Sequence, residues 1–309
     1  MIVQTINLTK RYGKLVALNN LQLEIEEGEC FGYIGPNGAG KTTTIRILAT
    51  LLQPTWGEAR VCDRVIGYES RKIRPLIGYV PDFFGAYEDM VVQEYLEFFA
   101  SAYNIIGKQR TRVVGDVLEL TDLVGKRDAL VDSLSRGMQQ RLSVARVLLH
   151  DPRVLLLDEP ASGLDPRARI EIRELLKELR NMGKTIIISS HILHELAELC
   201  TTVGIIESGE LLFHGTLSEI LARAKRGTRV HVRVTEQQDL AALLLQRTRG
   251  VKSVAQGDGA LIVDLDSTTH DFSGLAKVLL NNNFRLCELR EEEVNLETAF
   301  MRLTKGIVQ

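Results

Sequence analysis

The chain has 309 residues, a length that predicts two domains, with one large domain as the alternative. Its 38 Lys and Arg residues nearly balance its 40 Asp and Glu residues, and the net charge of −2 argues against nucleic-acid binding through bulk positive charge. A hydrophobic content of 45% and a charged content of 25% exclude global disorder and are typical of a soluble globular protein.

The cysteines and the apolar runs exclude two further classes. Cys30, Cys62, Cys200 and Cys287 are widely spaced, so we expect neither a disulfide framework nor a C-x-x-C motif. The N-terminus has no basic segment followed by an apolar core, so we expect no signal peptide. Apolar runs such as 154–157 fall far short of the about 20 residues that span a bilayer. We therefore expect that this chain does not cross a membrane by itself.

The first fifty residues predict the opening of a nucleotide-binding unit. Apolar and polar residues alternate at 2–8 and 21–25, as in half-buried strands. A short apolar strand at 30–34 leads into a glycine-rich loop, and residues 41–52 predict a helix. A strand, a glycine loop and a helix in this order are typical of α/β nucleotide-binding proteins.

The middle of the chain predicts a helical subdomain at about 83–150, followed by alternating strands and helices. The predicted elements are helices at 91–103, 112–123, 167–181 and 192–200 and strands at 154–157 and 185–189. Alternation of this kind predicts a largely parallel, buried sheet.

A second domain is predicted at 225–309. Its predicted elements are strands at 229–234, 252–255, 260–265 and 285–290 and helices at 239–247 and 272–281. The order β-α-β-β-α-β predicts a small α+β module of the ferredoxin-like type. The basic stretch 223–226 before it is interpreted as a linker, with contact to anionic lipid as the alternative.

The glycine loop fits the P-loop pattern, in which backbone N–H groups wrap phosphates and the following helix directs its positive end at the anion. Lys41 would reach the β- and γ-phosphates, and the Thr42 hydroxyl would ligate Mg²⁺. The predicted nucleotide-binding residues of this loop are Gly35, Asn37, Gly38, Gly40, Lys41, Thr42 and Thr43.

Two carboxylates end the apolar strand at 154–157. Asp158 is placed to hold Mg²⁺, directly or through water. Glu159 is placed to orient or deprotonate an attacking water, and is therefore the predicted catalytic base. A buried strand with a polar end is the alternative, which the P-loop upstream makes the weaker one.

Further motifs resemble those of the ATP-binding cassette (ABC) family. Residues 134–141, Leu-Ser-Arg-Gly-Met-Gln-Gln-Arg, resemble its signature, 162–165 resemble its D-loop, and 189–191 resemble its switch-histidine segment. Tyr12 resembles the aromatic residue that stacks on adenine, although a packed surface aromatic is the alternative. The motifs follow the family order over residues 1 to about 220. The resemblance therefore implies a P-loop NTPase cassette with a helical subdomain and the second domain appended.

The resemblance also implies a head-to-tail dimer with ATP between the P-loop of one copy and the signature of the other. Ser135 and Gly137 would contact the γ-phosphate in trans, at the start of a helix that suits an anion. His191 would bond the γ-phosphate and help to position the water, and Asp165 would link the two sites. Tyr12 and Val16 complete the predicted nucleotide-binding set.

Three positions depart from the family pattern. Asp82 stands where glutamine is usual, and a carboxylate can keep the metal role of that residue. The alternative is that Asp82 only caps the following turn. Arg136 stands in place of a glycine, where it would contact ATP in trans or face solvent, and Met138 stands in place of a glutamine. These changes put the turnover rate in doubt, not the chemistry.

The predicted function is the ATPase subunit of an ABC exporter that uses ATP and Mg²⁺ and drives transmembrane permease subunits on separate chains. It would lie in the cytoplasm, held peripherally at the inner face of the membrane through a membrane subunit, without nucleic acid as a partner. Phe83, Phe84 and Tyr87 would lie on the coupling surface or in the core. The direction of transport rests on the appended module and on segment 294–300, which resembles an element of drug, lipid or polysaccharide exporters. A soluble ABC ATPase that acts on DNA or ribosomes, or a non-catalytic regulatory cassette, are the alternatives.

Overall fold

The computed structural model describes residues 1–83, 85, 89–190, 193–224, 228–257, 259–266, 271–292 and 296–304. The chain forms two compact units, Met1–Leu217 with Thr304, and Ser218–Leu303. Within the described ranges, no helix combines the length and the hydropathy that a membrane span requires.

The first unit contains ten strands and seven α-helices within its described residues. The strands are β1 (Val3–Tyr12), β2 (Leu15–Ile25), β3 (Cys30–Ile34), β4 (Trp56–Val61), β5 (Arg64–Val65), β6 (Ile77–Val80), β7 (Val154–Asp158), β8 (Thr185–Ser190), β9 (Thr202–Glu207) and β10 (Glu210–Thr216). The helices are α1 (Lys41–Leu48), α2 (Ser70–Ile73), α3 (Val92–Ala102), α4 (Gly107–Leu120), α5 (Arg136–Leu148), α6 (Pro166–Asn181) and α7 (Leu193–Leu199).

A six-stranded sheet carries the first unit, in the order β10-β9-β3-β8-β7-β6. The five strands from β9 to β6 are parallel, and β10 pairs antiparallel with β9. Every residue of β3, β7 and β8 is buried, as expected for parallel strands that are covered on both faces. The largely parallel, buried sheet that the sequence predicts is confirmed. Since β3, β8 and β7 run parallel, the glycine loop after β3 and Asp158 at the end of β7 emerge at the same edge of the sheet, where the carboxyl ends of the strands lie.

A second sheet, of order β2-β1-β4-β5, packs on the other side of α1. One apolar cluster joins both sheets to that helix. It contains Leu23 of β2, Ile45 and Leu48 of α1, and Phe31 and Leu156 of the parallel sheet. The first helix is therefore clamped between two sheets, which fixes the loop that precedes it.

The helices α3, α4 and α5 pack on one another and form a helical part of the first unit. Tyr95 of α3, Val117 and Leu118 of α4, and Leu142 of α5 are buried in their contacts. Asp165 caps α6 by accepting hydrogen bonds from two backbone N–H groups at 3.0 Å, and Pro166 occupies its first turn.

The second unit is a four-stranded sheet with two helices on one face. Its elements are α8 (Leu217–Ala224), β11 (Arg229–Val234), α9 (Gln238–Gln246), β12 (Val251–Gln256), β13 (Leu261–Leu265), α10 (Ser273–Asn281), β14 (Leu286–Glu291) and α11 (Leu296–Leu303). The strand order is β12-β13-β11-β14, and every pairing is antiparallel. Alternate residues of β11 and β13 pack against α9 and α10, and this forms a core separate from that of the first unit.

Several elements are absent from the prediction or shorter than predicted. The elements that were not predicted from the sequence are β4, β5, β6, β9, β10, α2, α8 and α11. The predicted helix 41–52 ends at Leu48 because Thr50 adopts a left-handed conformation, with φ of +62°, which a helix cannot continue.

Candidate nucleotide-binding site

The loop between β3 and α1 opens onto a cavity of about 500 Å³ at the edge of the parallel sheet. Clefts at this edge are the usual ligand sites of α/β folds. The phosphate-loop residues that line it are Pro36, Asn37, Gly38, Ala39, Gly40, Lys41, Thr42 and Thr43. Gly35 lies buried behind them, and its carbonyl oxygen points to the side chain of Lys41.

Lys41 is the first residue of α1, and its side chain is 6% exposed. Its Nζ donates to the carbonyl oxygens of Gly35 at 2.7 Å and Pro36 at 3.3 Å. It also lies 3.5 Å from Oε1 of Glu159. The ammonium group is therefore held at the cavity wall by the loop, where it can bind an anion.

Asp158 ends β7 and is fully buried. Its Oδ1 accepts hydrogen bonds from the hydroxyls of Ser189 at 2.8 Å and Thr42 at 3.1 Å. Burial raises the pKa of Asp158, and these two hydrogen bonds oppose that rise. The sequence does not predict this role of Ser189, which it shows only as part of the 189–191 segment.

The other carboxylate oxygen of Asp158, Oδ2, is buried and has no hydrogen-bond partner among the described residues. A buried carboxylate oxygen without a partner is costly, and a hard cation is the ligand that removes the cost. Together with the Thr42 hydroxyl and the carboxylate of Asp82 on the cavity wall, it fits Mg²⁺. The described residues hold no cluster of three His, Cys, Asp or Glu side chains. A metal here would therefore take further oxygens from phosphate and water, which is the usual habit of Mg²⁺.

Glu159 follows Asp158 in a left-handed conformation, with φ of +51°. Its N–H donates to the Ser189 hydroxyl at 3.0 Å and lies 3.2 Å from the Ser189 carbonyl oxygen, which holds the chain in this turn. Non-glycine residues in this region are strained and are concentrated at functional sites. The turn directs the Glu159 side chain into the cavity.

The outer wall of the cavity is apolar and comes from the first two strands. Tyr12, at the end of β1, lines it with 47% of its surface exposed. On β2 the lining residues are Leu15 and Ala17, neither of which was predicted. Val16 lies between them, half-buried and outside the lining, because successive side chains of a strand point to opposite faces.

Three predicted residues lie away from this cavity. Ser135 is exposed and caps α5, accepting a hydrogen bond from the Met138 N–H at 3.3 Å. Gly137 is buried against α6, and Asp165 caps that helix. Their predicted roles concern a second copy of the chain. His191 lies outside the described residues.

Arg136 and Ser162 line the cavity although the sequence did not assign them to it in the same subunit. Ser162 donates its N–H to the Glu159 carbonyl oxygen at 3.0 Å and so belongs to the turn that carries the catalytic candidate. Both residues belong to motifs of the sequence, at 134–141 and 162–165, but those motifs do not show that either one reaches the cavity of its own subunit, because tertiary packing brings them there.

A protein family and two relatives that resemble this chain all have names that refer to ABC transport or ATP binding. Residues 18–162 match a family described as ABC transporter. The chain is 30% identical over 305 residues to the linearmycin resistance ATP-binding protein LnrL of Bacillus subtilis, covering 98% of both chains. It is 40% identical over 220 residues to the Nod factor export ATP-binding protein I of Cupriavidus metallidurans, covering 71% of this chain and 73% of that one.

Solved structures of similar fold cover 70% to 72% of this chain. One is the dimeric post-hydrolysis state of the cassette MJ0796 bound to ADP and Pi, with a TM-score of 0.63 and 29% identity over 70% of this chain and 98% of that one. Another is cbiO1 from Clostridium perfringens, described as part of the transporter complex cbiONQ, with a TM-score of 0.65 and 28% identity over 72% of this chain and 94% of that one.

Proposed function

This chain belongs to the ATP-binding cassette transporter family, and from that premise we propose how its site hydrolyses ATP and what the hydrolysis drives. The observation that carries the proposal is the cavity lined by the phosphate loop, Lys41 and Glu159, with Asp158 hydrogen-bonded to Thr42 of its wall. The chain is the ATP-hydrolysing subunit of an exporter, and other chains supply the membrane-spanning segments.

The triphosphate would lie along the loop at 35–42, bound by backbone N–H groups and by the ammonium group of Lys41. The adenine would lie against the apolar wall at Tyr12. The ring of Tyr12 offers a face for stacking. Lys10, also on β1, places its Nζ 5.3 Å from the centre of that ring.

Mg²⁺ would be held by the Thr42 hydroxyl and by Asp158, with Asp82 contributing directly or through water. When bound, it would neutralise charge on the β- and γ-phosphates and polarise the γ-phosphoryl group.

Glu159 would orient the attacking water and accept its proton as the oxygen–phosphorus bond forms and the bond to ADP breaks. The Ser189 hydroxyl supports both carboxylates, because it donates to Asp158 and accepts from the Glu159 N–H. Ser189 is thus a positioning residue.

The remaining predicted residues would act across a head-to-tail pair of cassettes. Ser135 and Gly137 of one copy would bind the γ-phosphate on the other, at the start of α5. His191 would help to position the water, and Asp165 would connect the two sites. MJ0796, to which this chain is similar, is described as a dimeric cassette.

Export is inferred from the relatives. Two of them are named for Nod factor export and for linearmycin resistance, and the second matches this chain over 98% of both lengths. These names do not favour an action on DNA or ribosomes. Phe83 follows Asp82 and is 65% exposed, so it is available as an apolar contact for a membrane subunit. Phe84 and Tyr87 lie outside the described residues. Contact through Phe83 would hold the cassette at the inner face of the membrane.

We also infer a ferredoxin-like fold for the second domain, 225–309, since its strand order with two helices on one face suits that arrangement. Dimer stabilisation and regulation both fit such an appended module.

Glu159→Gln tests the catalytic assignment. The variant keeps the shape of the side chain but cannot accept a proton, so we expect a loss of turnover of about 100-fold or more, with ATP binding retained. An ATP-bound dimer should accumulate, which size-exclusion chromatography with light scattering would detect. Glu119→Gln on α4, exposed and remote from the cavity, is the matched control.

Turnover by Glu159→Gln at the wild-type rate would contradict the role given to this carboxylate. The export proposal has a separate test, in which the chain is purified in detergent from membranes of its source and its bound chains are identified. A polytopic membrane chain whose co-purification is lost in Phe83→Ala would support the proposal. A ribosomal or nucleic-acid partner in place of a membrane chain would contradict it.

A further inference from the structure

The side chain of Arg136 reaches from the start of α5 to the turn that carries Glu159. An ideal Cβ placed on Gly163 would lie 2.9 Å from both Nη atoms of Arg136, so the guanidinium group lies directly against this glycine. Arg136 also lines the cavity of its own subunit, together with Glu159, Ser162 and the phosphate loop. Arg136 is exposed, as one of the two expected alternatives has it, and its place beside the phosphate loop of its own subunit is an addition to that expectation.

Packing of two helices fixes where Arg136 lies. Gly137, the next residue, is so close to α6 that an added Cβ would lie 2.6 Å from the Cβ of Ala168. The start of α5 therefore lies directly on the helix that follows Gly163. Gly163 itself has φ of +69° and no side chain, and the space that a side chain would fill is taken by the Arg136 guanidinium.

The charged residues of the cavity indicate what the Arg136 guanidinium could bind there. Among the described residues, two cations line the cavity, Lys41 and Arg136, and the acidic residues Asp82 and Glu159 line it as well. Lys41 is already held by two loop carbonyl oxygens and lies near Glu159. The Arg136 guanidinium forms no hydrogen bond or ion pair with any residue in the described ranges. Its planar set of N–H donors matches phosphate oxygens, which are the ligand this cavity takes.

We propose that Arg136 binds the phosphates of ATP in cis, on the nucleotide held by the phosphate loop of its own subunit. The contact deepens the function proposed above and rests on it. The cation also offsets the negative charge that Asp82 adds to the cavity wall. The start of α5 would then contact both nucleotides of a dimer, through Ser135 in trans and through Arg136 in cis.

Contacts in cis and in trans differ in one measurable way, because only a contact in cis acts on a single subunit. The dissociation constant of Mg²⁺ with a non-hydrolysable ATP analogue is measured at a protein concentration at which light scattering finds monomers. We expect Arg136→Gln to raise it about fivefold to tenfold and Arg136→Lys to raise it less. The difference between wild type and Arg136→Gln should shrink at high salt, because salt screens a contact at an exposed cation.

Three further variants test whether the effect comes from the Arg136 guanidinium at Gly163. Ser135→Ala, one residue away, should leave the monomer dissociation constant unchanged and reduce dimer formation and turnover. Arg112→Gln, an exposed arginine on α4, is the control for loss of a positive charge. Gly163→Ala should raise the constant in the wild-type background, since its Cβ displaces the guanidinium, and add nothing to Arg136→Gln. Thermal melting without nucleotide shows whether each variant is folded.

A monomer dissociation constant in Arg136→Gln equal to that of wild type would overturn the proposal. This includes the case in which only dimer turnover falls, which would place the contact in trans. A wild-type monomer that does not bind the analogue at all would contradict the proposed nucleotide site itself, and so is distinguishable from failure of the Arg136 contact.

Discussion

At the scale of single residues, Asp158 shows how a binding site weakens the fold that carries it. The carboxylate is fully buried and one of its oxygens has no partner among the described residues. Burial raises its pKa, so the ionised form is less stable in the folded state than in the unfolded state. At pH values above that raised pKa, the ionised carboxylate lowers the free energy of unfolding, and the penalty disappears as the pH falls below the unfolded value.

Asp158→Asn should therefore stabilise the nucleotide-free protein while it damages the site. A neutral amide is less costly to bury than an unpaired carboxylate, so we expect the free energy of unfolding to rise by about 1 kcal/mol. The extra thermal stability that Mg²⁺ and ATP confer should fall. Differential scanning calorimetry with and without Mg²⁺ and ATP measures both effects. Asp116→Asn on α4 serves as the exposed control, and a lower melting temperature of nucleotide-free Asp158→Asn would contradict this account.

At the scale of elements, the close contact between α5 and α6 requires a glycine at position 137, in the first turn of α5. Gly137 is buried, and its missing side chain allows Ala168 of α6 to approach. The predicted role of Gly137 in trans does not explain this requirement, which is one of packing within the subunit.

Gly137→Ala should destabilise the protein by about 1–3 kcal/mol, because the new Cβ would overlap Ala168 and force the helices apart. Ala168→Gly in the same chain should restore part of the loss, since it removes the atom that is overlapped. Urea denaturation of the two single variants and the double variant measures this coupling. If the changes in the free energy of unfolding were additive, the two positions would not be in steric contact, and this account would be contradicted.

His150, in the turn after α5, makes a second contact between elements. Its ring stacks on Tyr103, with ring centres 4.0 Å apart, and its Nε2 lies 2.9 Å from the Ile77 carbonyl oxygen. Nδ1 is buried and has no hydrogen-bond partner among the described residues. Burial lowers the pKa of His150, which the hydrogen bond to Ile77 and the nearby Asp151 oppose, while Lys184 lowers it further. The folded state therefore disfavours protonation of this ring, which joins the helical part to β6.

Stability should fall between pH 7.5 and pH 5.5, because the unfolded state binds a proton near the ordinary pKa of 6.5 before the folded state does. The stabilising contribution is fully present above that value and is lost as the pH falls towards the lowered folded-state pKa. His150→Gln cannot titrate, so its stability should vary less with pH over this window. Urea midpoints at several pH values measure the difference, and identical slopes for the two proteins would exclude His150 as the cause.

At the scale of the whole molecule, the thiols divide between a closed interior and an open surface. Cys30, Cys62 and Cys200 are buried in the first unit, and Cys287 is exposed on β14 of the second. Burial raises the pKa values of Cys62 and Cys200, which disfavours their reactive thiolate forms. The Sγ atoms of Cys30 and Cys200 lie 3.8 Å apart, a proximity that their spacing along the chain did not suggest.

One of the four thiols should therefore react quickly with an aromatic disulfide reagent in the native protein. The other three should react only as the protein unfolds in denaturant. Cys287→Ser should abolish the fast phase, whereas Cys62→Ser should leave it unchanged. Two or more fast thiols in the native wild-type protein would contradict the burial described here.

The sequence by itself determined the parts of this protein that are built from neighbouring residues. The strand, glycine loop and helix at 30–48 and the pair Asp158 and Glu159 are local patterns, because a phosphate loop and a strand end need only consecutive residues. The parallel sheet followed from alternating apolar strands and amphipathic helices, and the family followed from motifs in a fixed order.

The tertiary structure alone decided which distant residues meet. Strand parity placed Leu15 and Ala17, not Val16, on the cavity wall, and the pairing of β7 with β8 brought Ser189 to Asp158. The approach of α5 to α6 placed Arg136 against Gly163. The physical reason is common to these cases: register and helix packing are set by the sum of many buried contacts across the chain, so no short stretch of sequence contains them.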